Sequence, residues 1–157
     1  MQRRIVLLHN IRSAHNVGSI FRTADGAGVR EIILSGYTPC PIDRFGRPQK
    51  DIAKTALGAE QSIAWRYVKT PMATIKKLKL EGVHVVGVEQ DERAIDYRTF
   101  SETAPTMYLL GNEVRGLSRA LRTACDTLIV IPMHGVKESL NVSVAAGVAL
   151  FGTIASN

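Results

Sequence analysis

The chain has 157 residues, 45% of them hydrophobic, which matches the length of one domain with a proper core. Its net charge of +6 favours polyanionic partners without separating RNA, DNA and membrane surfaces. The first apolar run, residues 5–8, is too short for a signal-peptide core, and no run approaches the ~20 residues of a membrane span, so a soluble, cytoplasmic chain with no membrane partner is expected. Cys40 and Cys125 stand in no metal-ligand or redox spacing and are expected to be reduced.

Short apolar runs of strand length fall at residues 5–8, 31–34, 63–68, 83–88, 106–110 and 127–131. They lack polar alternation and most are separated by helical patterns, as buried parallel strands with crossover helices are. The expected fold is therefore α/β, a mostly parallel sheet with helices on both faces. The first helix is expected to begin near Asn16 as its N-cap and to place Val17, Ile20, Phe21 and Ala24 on one face, until Gly26 and Gly28 stop it. Arg22 falls off that apolar stripe. Residues 36–50 hold three prolines and two glycines with Arg44, Arg47 and Lys50, and Tyr37 and Phe45 lie among them. This composition predicts an irregular loop suited to phosphate contact and base stacking, or else an ordinary solvated insertion. The final helix, about residues 140–154, is apolar around most of its circumference. Either a second protomer or the monomer's own core must cover it, and a homodimer is the expectation. No repeat or linker divides the chain, and one domain over residues 1–157 is expected.

Several chemistries are excluded by inspection. There is no dinucleotide-binding glycine pattern, and in the segment Gly111 to Gly116 a leucine, Leu117, stands where a phosphate-binding loop needs lysine. His9, His15, His84 and His134 have no partners at metal-ligand spacing, and no serine-hydrolase elbow is present, so no metal is expected.

Three polar segments remain, each following an apolar run and leading into a helix. The first, residues 10–22, contains Arg12 and Asn16-Val17-Gly18-Ser19-Ile20-Phe21-Arg22. Taken singly, these residues also fit a structural account, with Asn16 capping, Gly18 allowing close packing and the arginines solvated. The second is Gly111-Asn112-Glu113-Val114-Arg115-Gly116, a glycine-bracketed turn at a strand's carboxyl end, where ligands sit in open α/β sheets. Ser118 is the natural cap of the helix that follows. The third leads from Ile131 to Ser139-Leu140-Asn141-Val142-Ser143, where capping accounts for one polar residue but hardly for three.

Together, in this order and spacing, the three segments resemble the motifs of the SpoU (TrmH-like) branch of the SPOUT RNA methyltransferases, and the resemblance spans nearly the whole chain. It implies a C-terminal trefoil knot, which general topology rules disfavour, an obligate homodimer, and S-adenosylmethionine held in the knot mainly by backbone groups. The matching cofactor positions are Val88, Gly111, Ile131, Ser139 and Leu140. The catalytic and substrate-contacting positions are Asn16, Arg22, Glu113, Ser139 and Asn141. Arg12 and Arg115 join Arg44, Arg47 and Lys50 as expected RNA contacts. The chain resembles the minimal members of the branch, without an extra N-terminal RNA-binding domain, and the implied reaction is methylation of a ribose 2′-hydroxyl in tRNA or rRNA. A base-nitrogen methyltransferase of a related knotted branch and a non-catalytic RNA-binding module are the alternatives. Arg22, whose guanidinium pKa exceeds ~12, is expected to stabilise charge, held by Asn16, Glu113, Ser139 and Asn141; a buried Arg22 acting as base is the other possibility.

Overall fold

The structure, a computed structural model, describes residues 2–154. In chain order its elements are β1 (Arg4–His9), α1 (Ala14–Gly26), β2 (Glu31–Ser35), α2 (Lys50–Ala56), α3 (Ala59–Ser62), β3 (Ala64–Val68), α4 (Pro71–Leu80), β4 (His84–Val88) and β5 (Ile95–Asp96), then a 3-10 turn (Tyr97–Thr99). They continue with β6 (Thr106–Leu110), α5 (Arg119–Ala124), β7 (Thr127–Val130) and α6 (Val142–Gly152). The seven strands form one sheet in the order β3-β2-β1-β6-β4-β7-β5, and every pairing is parallel.

Alternate side chains of the central strands enter two separate cores. Val6, Leu8, Ile32, Leu34, Tyr108 and Leu110 face α1, α2, α3 and α6, whereas Ile5, Leu7, Ile33, Val85, Met107 and Leu109 face α4 and α5. Burial on both faces is why these strands read as unbroken apolar runs. The outer strands differ. In β3, expected to be buried, Ala64, Arg66 and Tyr67 are exposed, and Arg66 Nε pairs with Glu31 at 2.6 Å, as suits a protected edge. The opposite edge is β5, two residues long and invisible to periodicity.

Ser13, not Asn16, caps α1: its Oγ accepts the Asn16 N–H at 3.2 Å, which puts Asn16 inside the first turn. Gly18 sits where α1 crosses α2, and a Cβ there would lie 2.0 Å from Thr55 Oγ1 and 2.3 Å from the Ile52 carbonyl oxygen. Residues 36–50 are more ordered than a structureless loop. Asp43 accepts the N–H groups of Phe45 and Arg47, Ile42 bridges to Pro48, and Lys50 already belongs to α2. The last helix is shorter than expected, starting after Asn141, whose Oδ1 accepts the Ser143 N–H at 2.9 Å. Its circumference is divided. Val142, Ala146, Ala149 and Leu150 are buried in the chain's own core, while Val144 and Phe151 are about half exposed.

The most demanding residue of the interior is Arg4, which is completely buried at the start of β1. Its Nε donates to Glu102 Oε1 at 2.7 Å, its Nη1 to the Ala27 carbonyl after α1, and its Nη2 to the Leu150 carbonyl in α6. The Tyr108 hydroxyl donates to the same Glu102 carboxylate and meets the Thr153 hydroxyl. Burial, reinforced by that carboxylate, pushes the Tyr108 phenol far above its ordinary range and keeps it neutral. Nowhere else among the described residues is an arginine this deeply enclosed, and with every arm engaged the buried charge is tolerable. Burial also pushes the Cys125 thiol up to about 12.

Removing only the countercharge exposes the cost of that arrangement. Glu102→Ala should lower unfolding free energy by about 3–5 kcal/mol, measured by urea titration, because it strands a buried guanidinium. A loss below about 1 kcal/mol would mean that water or rearrangement satisfies Arg4.

Candidate active site

Parallel strands direct all their carboxyl ends to one edge of the sheet, so the segments after β1, β6, β4 and β7 gather there. Glu113, in the turn after β6, reaches across to the start of α1. Its carboxylate accepts the Arg12 N–H at 3.1 Å and the Ser13 N–H at 3.2 Å, and Asn16 Nδ2 donates to it at 3.4 Å. Asn16 Oδ1 in turn accepts Asn141 Nδ2 at 3.2 Å. The chain Glu113–Asn16–Asn141 thus ties together all three polar segments of the sequence. A carboxylate at a helix N-terminus also meets orphan N–H groups and the positive end of the dipole. Partial burial of Glu113 raises its pKa, but the N–H donors from Arg12 and Ser13 outweigh this, and the carboxyl lies below its ordinary range.

Beside this chain is a cleft at the ends of β4 and β7, lined by Val88, Glu89, Ile131, Met133, Ser139 and Leu140. Four of the five expected cofactor positions, Val88, Ile131, Ser139 and Leu140, therefore share one wall system. Gly111 does not line it. A Cβ on Gly111 would lie 2.6 Å from the Gly116 backbone, so this glycine closes the 111–116 turn, where Asn112 and Gly116 form a bridge. The turn reaches the cleft through Glu89, which sequence reasoning missed. Glu89 Oε2 accepts the Leu117 N–H at 2.6 Å, and Gly116, at φ 65°, has no room for a side chain because a Cβ would meet that carboxylate at 2.1 Å. A carboxylate immediately beyond an apolar strand end was the available signal.

The cleft combines apolar walls with free backbone. Among the described residues, the N–H groups of residues 133–140 make no backbone hydrogen bonds, and Gln90 Nε2 donates to the Glu138 carbonyl across the opening. Apolar side chains with a few polar and main-chain groups suit a small ligand carrying both a flat ring and polar substituents. No group of three or more His, Cys, Asp or Glu side chains suited to a metal ion occurs among the described residues, and none of their helices is long and apolar enough to cross a membrane.

Arg22 departs from expectation. It is exposed on α1, and among the described residues no hydrogen bond or ion pair joins it to Asn16, Glu113, Ser139 or Asn141. It lies six positions after Asn16, ~9 Å along the axis and on a different face, which rules out a buried Arg22 in this chain alone. Ser139 is exposed on the cleft and makes no hydrogen bond among the described residues, so capping does not explain it. Ser118 does cap α5, accepting the Leu121 N–H.

The expected RNA contacts fall into two groups. Arg12 and Arg115 flank a hollow shared with Tyr37 and Asn112, whose Nδ2 donates to the Tyr37 hydroxyl at 2.9 Å. The Arg44 and Arg47 guanidinium groups lie 4.8 and 4.9 Å from the centre of the Phe45 ring, and Lys50 is exposed at the start of α2. Arg47 is also paired with Asp43 at 2.9 Å.

The depressed pKa of Glu113 gives a pH signature. Stability from its ionised form is present above the ordinary value of 4.5 and is lost as pH falls through the lower native value. The stability gap between wild type and Glu113→Gln, measured by urea unfolding, should therefore be constant near neutrality and shrink below pH ~4.5. A gap that widens with acidity would show that the carboxyl is not held ionised.

The chain matches the SpoU rRNA Methylase family over residues 3–151. It is 36% identical over 154 residues to the 23S rRNA (guanosine-2′-O-)-methyltransferase RlmB of Ralstonia nicotianae, an alignment covering 96% of this chain and 57% of that protein. The chain thus spans little more than half the length of the curated relatives it matches. Among solved structures, an AdoMet-bound rRNA methyltransferase from Sinorhizobium meliloti superposes with a TM-score of 0.86 at 32% identity, over 96% of this chain and 55% of that one. The A. aeolicus TrmH/SpoU tRNA modifying enzyme does so with a TM-score of 0.84 at 28% identity, over 97% and 74%. Sequence match, sheet topology and the convergence of three motifs on one strand edge agree: the chain belongs to the SpoU rRNA Methylase family.

Proposed function

We propose that the protein transfers a methyl group from S-adenosylmethionine to a ribose 2′-hydroxyl of tRNA or rRNA, acting in the cytoplasm. The observation that carries this reading is the Glu113–Asn16–Asn141 chain standing beside the cleft of Val88, Ile131, Ser139 and Leu140. A polar, hydrogen-bonded acceptor side next to an apolar cofactor side is what methyl transfer requires. The names of the Ralstonia and Sinorhizobium relatives point the same way.

When bound in the cleft, S-adenosylmethionine would supply an electrophilic methyl carbon to the 2′-oxygen, its sulfur leaving as the neutral thioether and the hydroxyl proton passing to solvent water. The protein's own task is alignment and charge. Val88, Ile131 and Leu140 offer apolar walls, and Ser139 a hydroxyl on the rim. Glu113 accepts three N–H groups and has its pKa lowered, which makes it a positioning residue that fixes the start of α1, not a proton acceptor. Asn16 and Asn141 hold each other and present amides to the ribose. Arg22, permanently charged, stabilises the developing alkoxide and the neighbouring phosphate.

Arg22 must then gain surroundings that one chain does not provide, and a second protomer supplies them. Thr23 and Gly26 of α1 lie against Gly147 and Phe151 of α6, so Arg22 borders the exposed apolar face of the last helix. A homodimer covering Val144 and Phe151 would enclose it. A trefoil knot is part of the same reading. What supports it is that the 131–141 segment meets the β4–β5 connection, Gln90 donating to the Glu138 carbonyl, and that α6 ends against Tyr97 and Tyr108.

Two outcomes test this. Phe151→Arg should yield folded monomers by sedimentation; the fully buried Leu150 is unsuitable for that purpose, since replacing it unfolds the core. A wild type that is monomeric at micromolar concentration would end the dimer claim. Arg22→Ala should stay folded and keep its cofactor affinity by calorimetry, while its single-turnover rate on labelled RNA falls ~10²-fold or more. Retention of over about a tenth of the rate overturns Arg22 as charge stabiliser, and a methylated base in the nucleoside digest overturns ribose as target.

A further inference from the structure

A second hollow, of about 570 Å3, lies between the 36–49 segment and the edge strand β3, and no part of the methyl-transfer scheme uses it. Its walls are Phe45, Trp65, Tyr67 and Ile42, with Arg44 and Arg47 at the rim. Phe45 is two-thirds exposed, an unusual cost for a phenyl ring, and its ring carries both guanidinium groups at under 5 Å. Trp65 packs partly on the core, and the Tyr67 hydroxyl donates to the Gly36 carbonyl at 2.9 Å, so two aromatic walls are fixed before anything binds. Asp43 fixes the third, holding the Phe45 and Arg47 N–H groups and the Arg47 side chain. Arg44 has no ion-pair partner among the described residues.

We infer that this hollow is a subsite for an unpaired base of the substrate RNA, several nucleotides away from the methylated ribose. The inference rests on the methyltransferase reading only for which RNA occupies it. Aromatic faces with interleaved arginines receive any base by stacking, while a free cation at the rim neutralises the adjoining phosphate. Its position fits one continuous strand of RNA. Three strand spacings separate β3 from β6, ~14 Å in all, or about four stacked base steps. Between them lies the Arg12, Arg115 and Tyr37 hollow, and the Tyr37–Asn112 hydrogen bond joins the two ends. A purely apolar ligand would leave Arg44 and Arg47 without a role, and a phosphate alone would leave the aromatic walls without one.

Trp65 is the chain's single tryptophan, so its fluorescence reports on this hollow alone. The full chain is titrated with a single-stranded ten-nucleotide RNA and, separately, with inorganic polyphosphate. The RNA should quench Trp65 and polyphosphate should not. Phe45→Ala, at an exposed position, should weaken RNA binding about tenfold without changing cofactor affinity, and Arg44→Ala should make the salt slope shallower by about 0.7. Equal responses to both polyanions, or unchanged affinity in Phe45→Ala, overturn the subsite. Methyl transfer to tRNA or rRNA is scored in parallel. Transfer with a silent Trp65 sinks the subsite alone, and quenching without transfer sustains the subsite while removing the methyltransferase reading.

Discussion

A fully buried guanidinium is tolerable only if every arm finds a partner, and Arg4 imposes that condition on four parts of the molecule at once. It sits at the first residue of the inner strand β1 and takes the carbonyl after α1, the carboxylate of Glu102 before β6 and a carbonyl near the end of α6. An apolar residue in its place could pack as well but would not specify which helix end lies where. The arrangement fixes the last turn of α6 against the amino end of the sheet. Asn141, at the other end of the same helix, is thereby delivered to the carboxyl edge, where Asn16 meets it. The buried cluster and the polar site are two ends of one constraint.

The carboxyl edge works by a similar economy of parts. Glu113 and Glu89 both leave the ends of central strands and both accept main-chain N–H groups from a different segment. Each holds a turn in place for its neighbour: Glu113 fixes the start of α1, and Glu89 fixes the glycine turn that carries Glu113. Loops placed by charge-assisted hydrogen bonds to backbone are more precisely aimed than loops that merely pack. That precision is what the proposed methyl transfer, an in-line displacement, would need.

Much of this was legible in the sequence, and the exceptions have physical causes. The strands β1, β2, β4, β6 and β7 announced themselves because both of their faces are buried; β3 misled because an edge strand of the same composition exposes Arg66 and Tyr67, and β5 is too short to have a period. Ser13 and Asn16 are equally good capping residues, and only the tertiary carboxylate of Glu113 decides that Ser13 caps while Asn16 turns outward to Asn141. The three motif segments could be named from their residues, but their junction could not, because each bond in it spans about a hundred positions or more. Nothing in the sequence around Arg4 marks it for burial. Its burial depends on Glu102 and Leu150, which no local pattern connects to it.

The net charge of +6 is not uniformly available to a partner, because part of it is bound in ion pairs. Arg3, Arg66, Lys79, Arg93 and Arg98 are bound in ion pairs with carboxylates, mostly at sheet edges and turns, and add little to the field a polyanion meets. Arg12, Arg22, Arg44 and Arg115 have no ion-pair partner among the described residues, and three of them stand over the carboxyl ends of the strands. Arg30, Lys76, Lys77 and Arg119 are exposed and likewise without an ion-pair partner among the described residues, so the unneutralised charge is spread over the surface, and only part of it borders the two aromatic hollows. Long-range attraction would draw a polyanion to the chain, but attraction is indifferent to register. In the proposed RNA reading, register would come from what lies beside the charges, which here is Tyr37, Phe45 and Trp65 in the two hollows.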